Sequence, residues 1–172
     1  TILNLTGKHF DVVINVQGDE PFIAESQLCA VCSAFDDEHT EISTLVKPFV
    51  STASWEDLAN PNTPKVVIDN AGFALYFSRS VIPYLRGVSQ ENWLKTHRFY
   101  KHIGLYAYRV SVLERISGLE QGVLERCESL EQLRWLQAGF RIKTSETTIE
   151  TIGIDTPADL SAAEEYLANQ SS

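Results

Sequence analysis

Two adjacent carboxylates follow a short apolar run near the start of the sequence. The run, residues 12–16, reads VVINV and is rich in β-branched side chains, which is typical of a strand buried on both faces. The letters QGDEP (17–21) come next, at the point where an open α/β sheet binds its ligands. Carboxylate oxygens suit Mg²⁺, so Asp19 and Glu20 could hold a hard cation. A bare GDEP is more often an ordinary acidic turn.

A third acid precedes a predicted helix near the end of the sequence. Asp155 lies in GIDTP (153–157), where Thr156 suits the N-cap and Pro157 suits the first helical position. The carboxylate of Asp155 could either stabilise this turn or reach a cation. The residues alone leave both interpretations open.

Cationic side chains gather in and just after an irregular polar stretch, residues 79–97, although the net charge of the protein is −9. They are Arg79, Arg86, Lys95, His97, Arg98, Lys101 and His102. One interpretation is a solvated surface loop. The other, which we favour, is a site for an acidic sugar, because arginine and histidine form charge-assisted hydrogen bonds with carboxylates.

Periodicity and turn residues predict the elements that must position these groups. The predicted strands are 12–16, 41–50, 65–69, 73–78, 103–108 and 141–149, with Pro48 marking an edge strand or a strand exit. The predicted helices are 25–37, 109–117, 129–138 and a closing helix from Thr156 to about residue 169, with one helical turn at 56–59. Strands 65–69 and 73–78 should form a hairpin around Gly72. The pattern predicts an α/β fold.

Composition limits the classes of function. A chain of 172 residues with 44% hydrophobic and 22% charged residues is typical of one globular domain spanning 1–172. The acidic balance argues against a general nucleic-acid binder. No apolar run approaches the roughly 20 residues that a membrane helix needs. The first residues have no signal-peptide pattern, so we expect a cytoplasmic protein.

Three cysteines do not make a disulfide framework. Cys29 and Cys32 form a CxxC motif, which could indicate redox or metal chemistry. Leu28, Val31, Cys32 and Phe35 recur at helical spacing, so we interpret the two cysteines as core residues. The sequence has no second CxxC or nearby histidine pair to complete a zinc site.

Several motifs, in one order, resemble those of the CMP-Kdo synthetases, the 3-deoxy-manno-octulosonate (Kdo) cytidylyltransferases of Gram-negative lipopolysaccharide synthesis. The motifs are VINVQGDEP (13–21), PNTPKVVID (61–69), ALYFSRSVIPY (74–84), HIGLYAYR (102–109), LEQLRWL (130–136) and GIDTPADL (153–160). The resemblance covers nearly the whole chain. It implies a Rossmann-like three-layer nucleotidyltransferase fold with a mixed sheet. We expect that fold to be incomplete at its N-terminus, because the family's phosphate-loop motifs do not occur in these residues.

The resemblance also implies an activity and a set of site residues. The activity is cytidylyl transfer from CTP to the anomeric hydroxyl of Kdo, giving CMP-Kdo and pyrophosphate. Asp19 and Asp155 would be catalytic as ligands of Mg²⁺. The substrate-binding residues would be Gln17, Arg79, His102, Tyr106, Glu131 and Gln132. The family is generally dimeric, and residues 65–84 are the expected partner contact.

Three other interpretations stay open at this point. The chain could belong to a related cytidylyltransferase of sialic acid, or be a non-catalytic remnant that keeps only sugar binding or dimerisation. It could also be part of a longer, complete enzyme. We favour this last interpretation, because a remnant without a function would have no reason to retain Gln17, Asp19, His102 and Asp155 together. Taken alone, the fragment is expected to be inactive.

Overall fold

The computed structural model describes residues 9–18 and 22–149, in which a mixed sheet of six strands lies between two layers of helices. The strands are Val12–Asn15 (β1), Ile42–Pro48 (β2), Lys65–Ile68 (β3), Ala74–Ser78 (β4), Tyr100–Arg109 (β5) and Ile142–Glu146 (β6). Their order is β4-β3-β5-β2-β6, and β1 also pairs with β5. The β2–β6 pair is parallel and the other pairs are antiparallel. The predicted mixed sheet is confirmed.

Six helices lie within the described ranges. They are Glu25–Ser33 (α1), Trp55–Ala59 (α2), Trp93–Thr96 (α3), Val110–Ser117 (α4), Val123–Glu128 (α5) and Gln132–Gln137 (α6). Two 3₁₀ turns, Ala34–Asp36 and Gln90–Asn92, adjoin α1 and α3. Helix α1 packs on one face of the sheet, and α4, α5 and α6 pack on the other. This is the predicted three-layer arrangement. In this part of the chain, no helix is both long and apolar enough to cross a membrane.

The central strand β5 separates the two cores by its alternation, as the sequence predicts. Ile103, Leu105 and Ala107 pack with α1 in one cluster. Tyr106 and Tyr108 belong to the opposite cluster. The six-residue expectation for this strand was too short, because β5 extends from Tyr100 to Arg109. Both faces of β5 are therefore buried, one by aliphatic side chains and the other by tyrosines that carry hydroxyl groups into the core.

The predicted hairpin is present. Its turn is closed by the Asp69 carboxylate, which accepts hydrogen bonds from the backbone N–H groups of Ala71 and Phe73 at 2.9 and 2.8 Å. Gly72 has a φ of +81°, a backbone conformation that is strained for any residue with a Cβ atom. The sequence predicted this hairpin because its turn requires glycine at position 72.

The structure decides one open alternative about strand environment and shows that one prediction is wrong. Strand β2 is not an edge strand, since it pairs with both β5 and β6; Pro48 is its last residue and marks its exit. Strand β1 is only partly buried, and the following Val16 is 50% exposed. Apolar runs alone do not show whether a neighbouring layer covers both faces of a strand.

The helix predicted over 129–138 is shorter and is preceded by a helix that the pattern did not indicate. Ser129 has a φ of +51° and ends α5, so α6 begins only at Gln132. Gly139, with a φ of +87°, follows the end of α6 as predicted. The predicted strand 141–149 is likewise shorter, at Ile142–Glu146.

The interpretation of Cys29 and Cys32 as core residues is wrong. Both thiols are exposed, as is Cys127. The buried positions of α1 are Gln27 and Val31 instead. The side chain of Gln27 turns inward because its Oε1 accepts a hydrogen bond from the backbone N–H of Ala24 at 3.0 Å. A polar residue therefore occupies the face that the apolar pattern assigned to cysteine.

Candidate functional site

The sheet has a gap beyond the end of β1. Strands β1 and β3 pair with the same edge of β5, at opposite ends: Asn15 lies opposite Tyr106, and Lys65 lies opposite Lys101. The β5 residues between them, 102–105, have no strand partner on this edge within the described part of the chain, although the His102 N–H donates to the carbonyl of Pro64 at 2.9 Å. Ligands of α/β proteins bind where strand pairing divides in this way. The gap thus defines the candidate site.

His102 lies at this gap with its imidazole enclosed by two aromatic rings. The ring centroid is 5.1 Å from that of Phe77 and 5.3 Å from that of Tyr106. Its Nε2 is 3.0 Å from the hydroxyl oxygen of Thr44. Burial lowers the pKa of His102 from 6.5 to about 3. His102 is therefore neutral, and its inclusion among the cations of the predicted acidic-sugar site is corrected.

Tyr106 is buried with an unpartnered hydroxyl. The residue is 7% exposed, and its hydroxyl has no hydrogen-bond partner among residues 9–18 and 22–149. Burial raises the pKa of Tyr106 well above its usual value, and the nearby Tyr108 and Glu131 raise it further. The Thr44 hydroxyl lies close enough to lower this pKa slightly but does not meet the geometry of a hydrogen bond to the phenol. The phenol is therefore protonated and able to donate. A buried polar group without a partner is uncommon and calls for a ligand or an ordered water.

Glu131 and Gln132 bring a second set of polar groups to the same face. Gln132 is 5% exposed, and its Nε2 likewise has no partner in the described structure. It lies one helical turn before Trp135, whose ring meets that of Tyr106 edge-on at 5.1 Å. Glu131 lies at the start of the same helix. Burial raises the pKa of Tyr108, and the charge of Glu131 raises the pKa values of Tyr108 and Tyr106 further. His102, Tyr106, Glu131 and Gln132 are thus brought to one side of the sheet.

An open cleft of about 390 Å³ adjoins this group. Its polar lining comes from Asn15, Tyr108, Ser117, Glu131 and Arg134, and its apolar lining includes Trp135. The end of β1, the middle of β5 and helix α6 therefore border one cavity. A cavity with convergent polar groups on an apolar wall is typical of a small-molecule site.

The acidic residues predicted to bind metal cannot be placed in this geometry. Asp19 and Asp155 lie outside the described residues. Gln17 is described and exposed, two residues beyond the end of β1. Since β1 ends opposite Tyr106, Gln17 follows the strand that leads into the gap. In the described ranges, no group of three or more histidine, cysteine or acidic side chains forms a metal site.

Arg79 connects two loops through backbone carbonyls. Its Nε donates to the carbonyl of Glu128 at 2.6 Å, and its two terminal nitrogens donate to those of Pro61 and Ser129 at 2.8 and 3.2 Å. The Glu128 carboxylate in turn accepts from the Arg79 backbone N–H and from the Ser78 hydroxyl. These contacts give Arg79 a structural role. Its contact with a substrate anion stays a prediction.

The predicted cluster of cations is dispersed. Arg98 pairs with Glu146 at 2.7 Å, and the ring of His97 packs against Phe99. One cation that the sequence did not single out is fully buried: Lys65 donates to the carbonyl of Asn60 at 2.9 Å, and burial lowers its pKa. Lys65 and Arg79 together hold the loop that contains Asn60 and Pro61.

Sequence reasoning also missed Thr44, the residue that contacts His102. The side chain is fully buried in β2, inside the run ISTLV. A hydroxyl in an otherwise apolar central strand is the signal that could have identified it, because buried hydroxyls require partners.

Comparison with known proteins gives consistent matches over this chain. The family model described as cytidylyltransferase matches residues 3–152. The 3-deoxy-manno-octulosonate cytidylyltransferases of Bacteroides thetaiotaomicron and Phocaeicola vulgatus are each 58% identical to the chain, over 96% and 94% of its length. The chain spans 66% and 64% of the length of these two relatives.

A solved structure supports the same fold. The structure of CMP:2-keto-3-deoxy-manno-octonic acid synthetase complexed with CTP aligns with a TM-score of 0.84 at 37% identity. The alignment covers 98% of this chain and 66% of that one. The α/β nucleotidyltransferase fold predicted from the sequence is confirmed.

Proposed function

This chain belongs to the cytidylyltransferase family, and we propose that the protein transfers the cytidylyl group of CTP to the anomeric hydroxyl of Kdo. The products are CMP-Kdo and pyrophosphate. Relatives with 58% identity carry the name of this activity, and the similar solved structure was determined with CTP. The described residues would form the sugar-binding side of the site.

The observation that carries the proposal is the pair of unpartnered buried polar groups on one face of the sheet. The Tyr106 hydroxyl belongs to the ring that lies beside neutral His102, and the Gln132 amide belongs to the helix whose Trp135 packs on Tyr106. The open cleft is lined by their neighbours Tyr108, Glu131 and Trp135. A sugar acid has several hydroxyl groups that both donate and accept, so it matches these groups chemically. Pairing them would remove the cost of leaving them buried without hydrogen bonds.

The proposed reaction is a displacement at phosphorus. The anomeric oxygen attacks the α-phosphorus of CTP and loses its proton, while the bond from that phosphorus to the bridging oxygen of the β-phosphate breaks. Catalysis then depends on positioning the sugar and on stabilising the charge of the phosphate oxygens. In this chain, His102, Tyr106 and Gln132 would orient the sugar, with Glu131 and Gln17 at the edge of its pocket.

Mg²⁺ is part of the proposal. When bound, it would neutralise phosphate charge and acidify the attacking hydroxyl. By resemblance its ligands would be Asp19 and Asp155, since carboxylate oxygens are the ligands that this cation prefers.

Three further expectations belong to the same proposal. The protein would act in the cytoplasm, and its product would serve lipopolysaccharide synthesis. It would also be a homodimer. The segment predicted to contact the partner carries two exposed apolar side chains, Leu75 at 61% and Tyr84 at 75% exposure. Leu75 lies on β4, at one end of the strand order.

A Tyr106→Phe variant tests the sugar site directly. In the protein at its native length, the loss of one hydrogen bond should raise the KM for Kdo about tenfold and leave the KM for CTP unchanged. Tyr100→Phe is the matched control, because it removes a tyrosine hydroxyl at the far end of the same strand, where that hydroxyl donates to Glu146 at 2.9 Å. An unchanged KM for Kdo in Tyr106→Phe would contradict the assignment of this face to the sugar.

A further inference from the structure

Thr44 has more close polar neighbours than its single proton can serve. Its hydroxyl oxygen lies 2.9 Å from the carbonyl oxygen of Leu105, 3.2 Å from that of Ile103 and 3.0 Å from Nε2 of His102. The residue is 0% exposed. These three neighbours therefore determine to which atom the hydroxyl donates and from which atom it accepts.

The hydroxyl fills an irregularity in β5. Thr44 pairs with Tyr106, but the next residue, Leu45, pairs with Ile103, so two residues of β5 are extra at this point. Such a bulge turns carbonyl groups out of the regular ladder. The Thr44 side chain lies against the two carbonyls nearest the irregularity, which fixes it in the sheet beside His102.

The proton of the Thr44 hydroxyl must point to these carbonyls. A carbonyl oxygen only accepts hydrogen bonds. If the hydroxyl instead donated to His102, its oxygen would face the Leu105 carbonyl oxygen at 2.9 Å with no proton between them. Two lone pairs at that distance repel, whereas a proton placed there makes a hydrogen bond of ordinary length. The hydroxyl therefore accepts from His102.

We propose that Thr44 is a positioning residue that fixes His102 in the tautomer protonated at Nε2, leaving Nδ1 as a hydrogen-bond acceptor for a hydroxyl group of the sugar. The substrate part of this inference rests on the proposed function; the tautomer part does not. A bare ring nitrogen repels a carboxylate oxygen, so His102 selects a hydroxyl and leaves the sugar carboxylate to another group.

A further observation agrees with this assignment. The Phe77 and Tyr106 rings enclose the imidazole, and burial lowers the pKa of His102, so the second ring nitrogen does not acquire a proton near neutral pH. His102 therefore has a defined tautomer, because only one of its two ring nitrogens carries a proton.

Long-range ¹H–¹⁵N correlation spectra of the protein at its native length and without substrate test the tautomer, since protonated and bare imidazole nitrogens have well-separated ¹⁵N shifts. We expect a protonated Nε2 and a bare Nδ1 for His102 in the wild type and in Thr44→Ser, which keeps the hydroxyl. Thr44→Val keeps the shape without the hydroxyl and should show a mixture of tautomers. A wild-type signal from protonated Nδ1 would overturn the proposal, as would an unchanged Nε2-protonated tautomer in Thr44→Val.

Steady-state kinetics test the substrate part. Thr44→Val should raise the KM for Kdo about tenfold with little change in the KM for CTP, and Thr44→Ser should stay near wild type. An unchanged KM for Kdo in Thr44→Val would overturn the role in sugar binding. A wild-type protein without any Kdo-dependent turnover would refute the proposed function, while the wild-type spectrum would still decide the tautomer.

Discussion

Acidification from about pH 7 to about pH 5 should destabilise the fold through His102. The pKa of this side chain is lowered from 6.5 to about 3 in the folded protein, because the ring is buried. Between these two values the unfolded chain binds a proton that the folded protein does not. The free energy of unfolding therefore falls as the pH falls through this window.

The size of the effect follows from the width of the window. Inside it, each pH unit changes the free energy of unfolding by at most about 1.4 kcal/mol. Integrated over the two units, a fully enclosed ring would cost about 2 kcal/mol. His102 keeps partial contact with solvent, which weakens the desolvation, so we expect about 1–2 kcal/mol.

Urea denaturation at the two pH values measures this loss. The His102→Gln variant removes the titrating group, so it should lose less stability than the wild type on acidification by about that amount. His39→Gln is the matched control, because His39 is exposed; it should behave as the wild type. Carboxylates with lowered pKa, such as those of Asp37 and Glu125, lose their contribution only below their ordinary values of 3.8 and 4.5. An equal loss in the wild type and in His102→Gln would refute the reasoning.

Three other perturbations have defined outcomes. Glu125→Gln should lower the free energy of unfolding by about 2–3 kcal/mol, measured by urea denaturation. Arg134 donates two hydrogen bonds of 2.6 and 2.7 Å from α6 to the Glu125 carboxylate in α5, and the amide would keep only one acceptor oxygen, lose the charge and turn an NH₂ group toward the guanidinium. Asp19→Asn should lower kcat by orders of magnitude with an unchanged circular dichroism spectrum, if Asp19 holds Mg²⁺. Leu75→Lys should shift the mass measured by light scattering from dimer to monomer, since a buried lysine opposes association.

Each of these has its own contradicting result. Glu120→Gln changes an exposed acid near α5 and should leave stability within about 0.5 kcal/mol; a similar loss in both variants would contradict a special role for the ion pair. A near-normal Mg²⁺-dependent rate in Asp19→Asn would remove Asp19 from the metal site. A dimer that persists in Leu75→Lys, or a wild type that is already monomeric, would rule out β4 as the partner contact.

Sequence patterns predicted those elements whose geometry is set by residues close together in the chain. The alternation of β5 was readable because the two faces of a strand alternate with a period of two residues. The hairpin was readable because Asp69 and Gly72 form a turn that few other residues allow. Helix α5 was missed because it is only six residues long and ends at Ser129 in a conformation that serine seldom adopts.

Part of the site was predicted from the sequence; the rest depends on contacts between residues far apart in the chain. Family motifs identified His102, Tyr106, Glu131 and Gln132, and the structure places all four on one side of the sheet. The sequence did not predict that His102 is neutral, because desolvation depends on rings contributed by separate strands. It also did not identify Thr44, whose role arises only from a bulge in the neighbouring strand.

The most direct test of the central claim is pyrophosphate release by the protein at its native length, established by intact mass, in the presence of CTP, Mg²⁺ and Kdo. The account predicts release that requires all three components and matches the CMP-Kdo formed. Reactions without the sugar, or with sialic acid in its place, provide the baseline. No release above that baseline, or faster release with sialic acid than with Kdo, would contradict the proposed function.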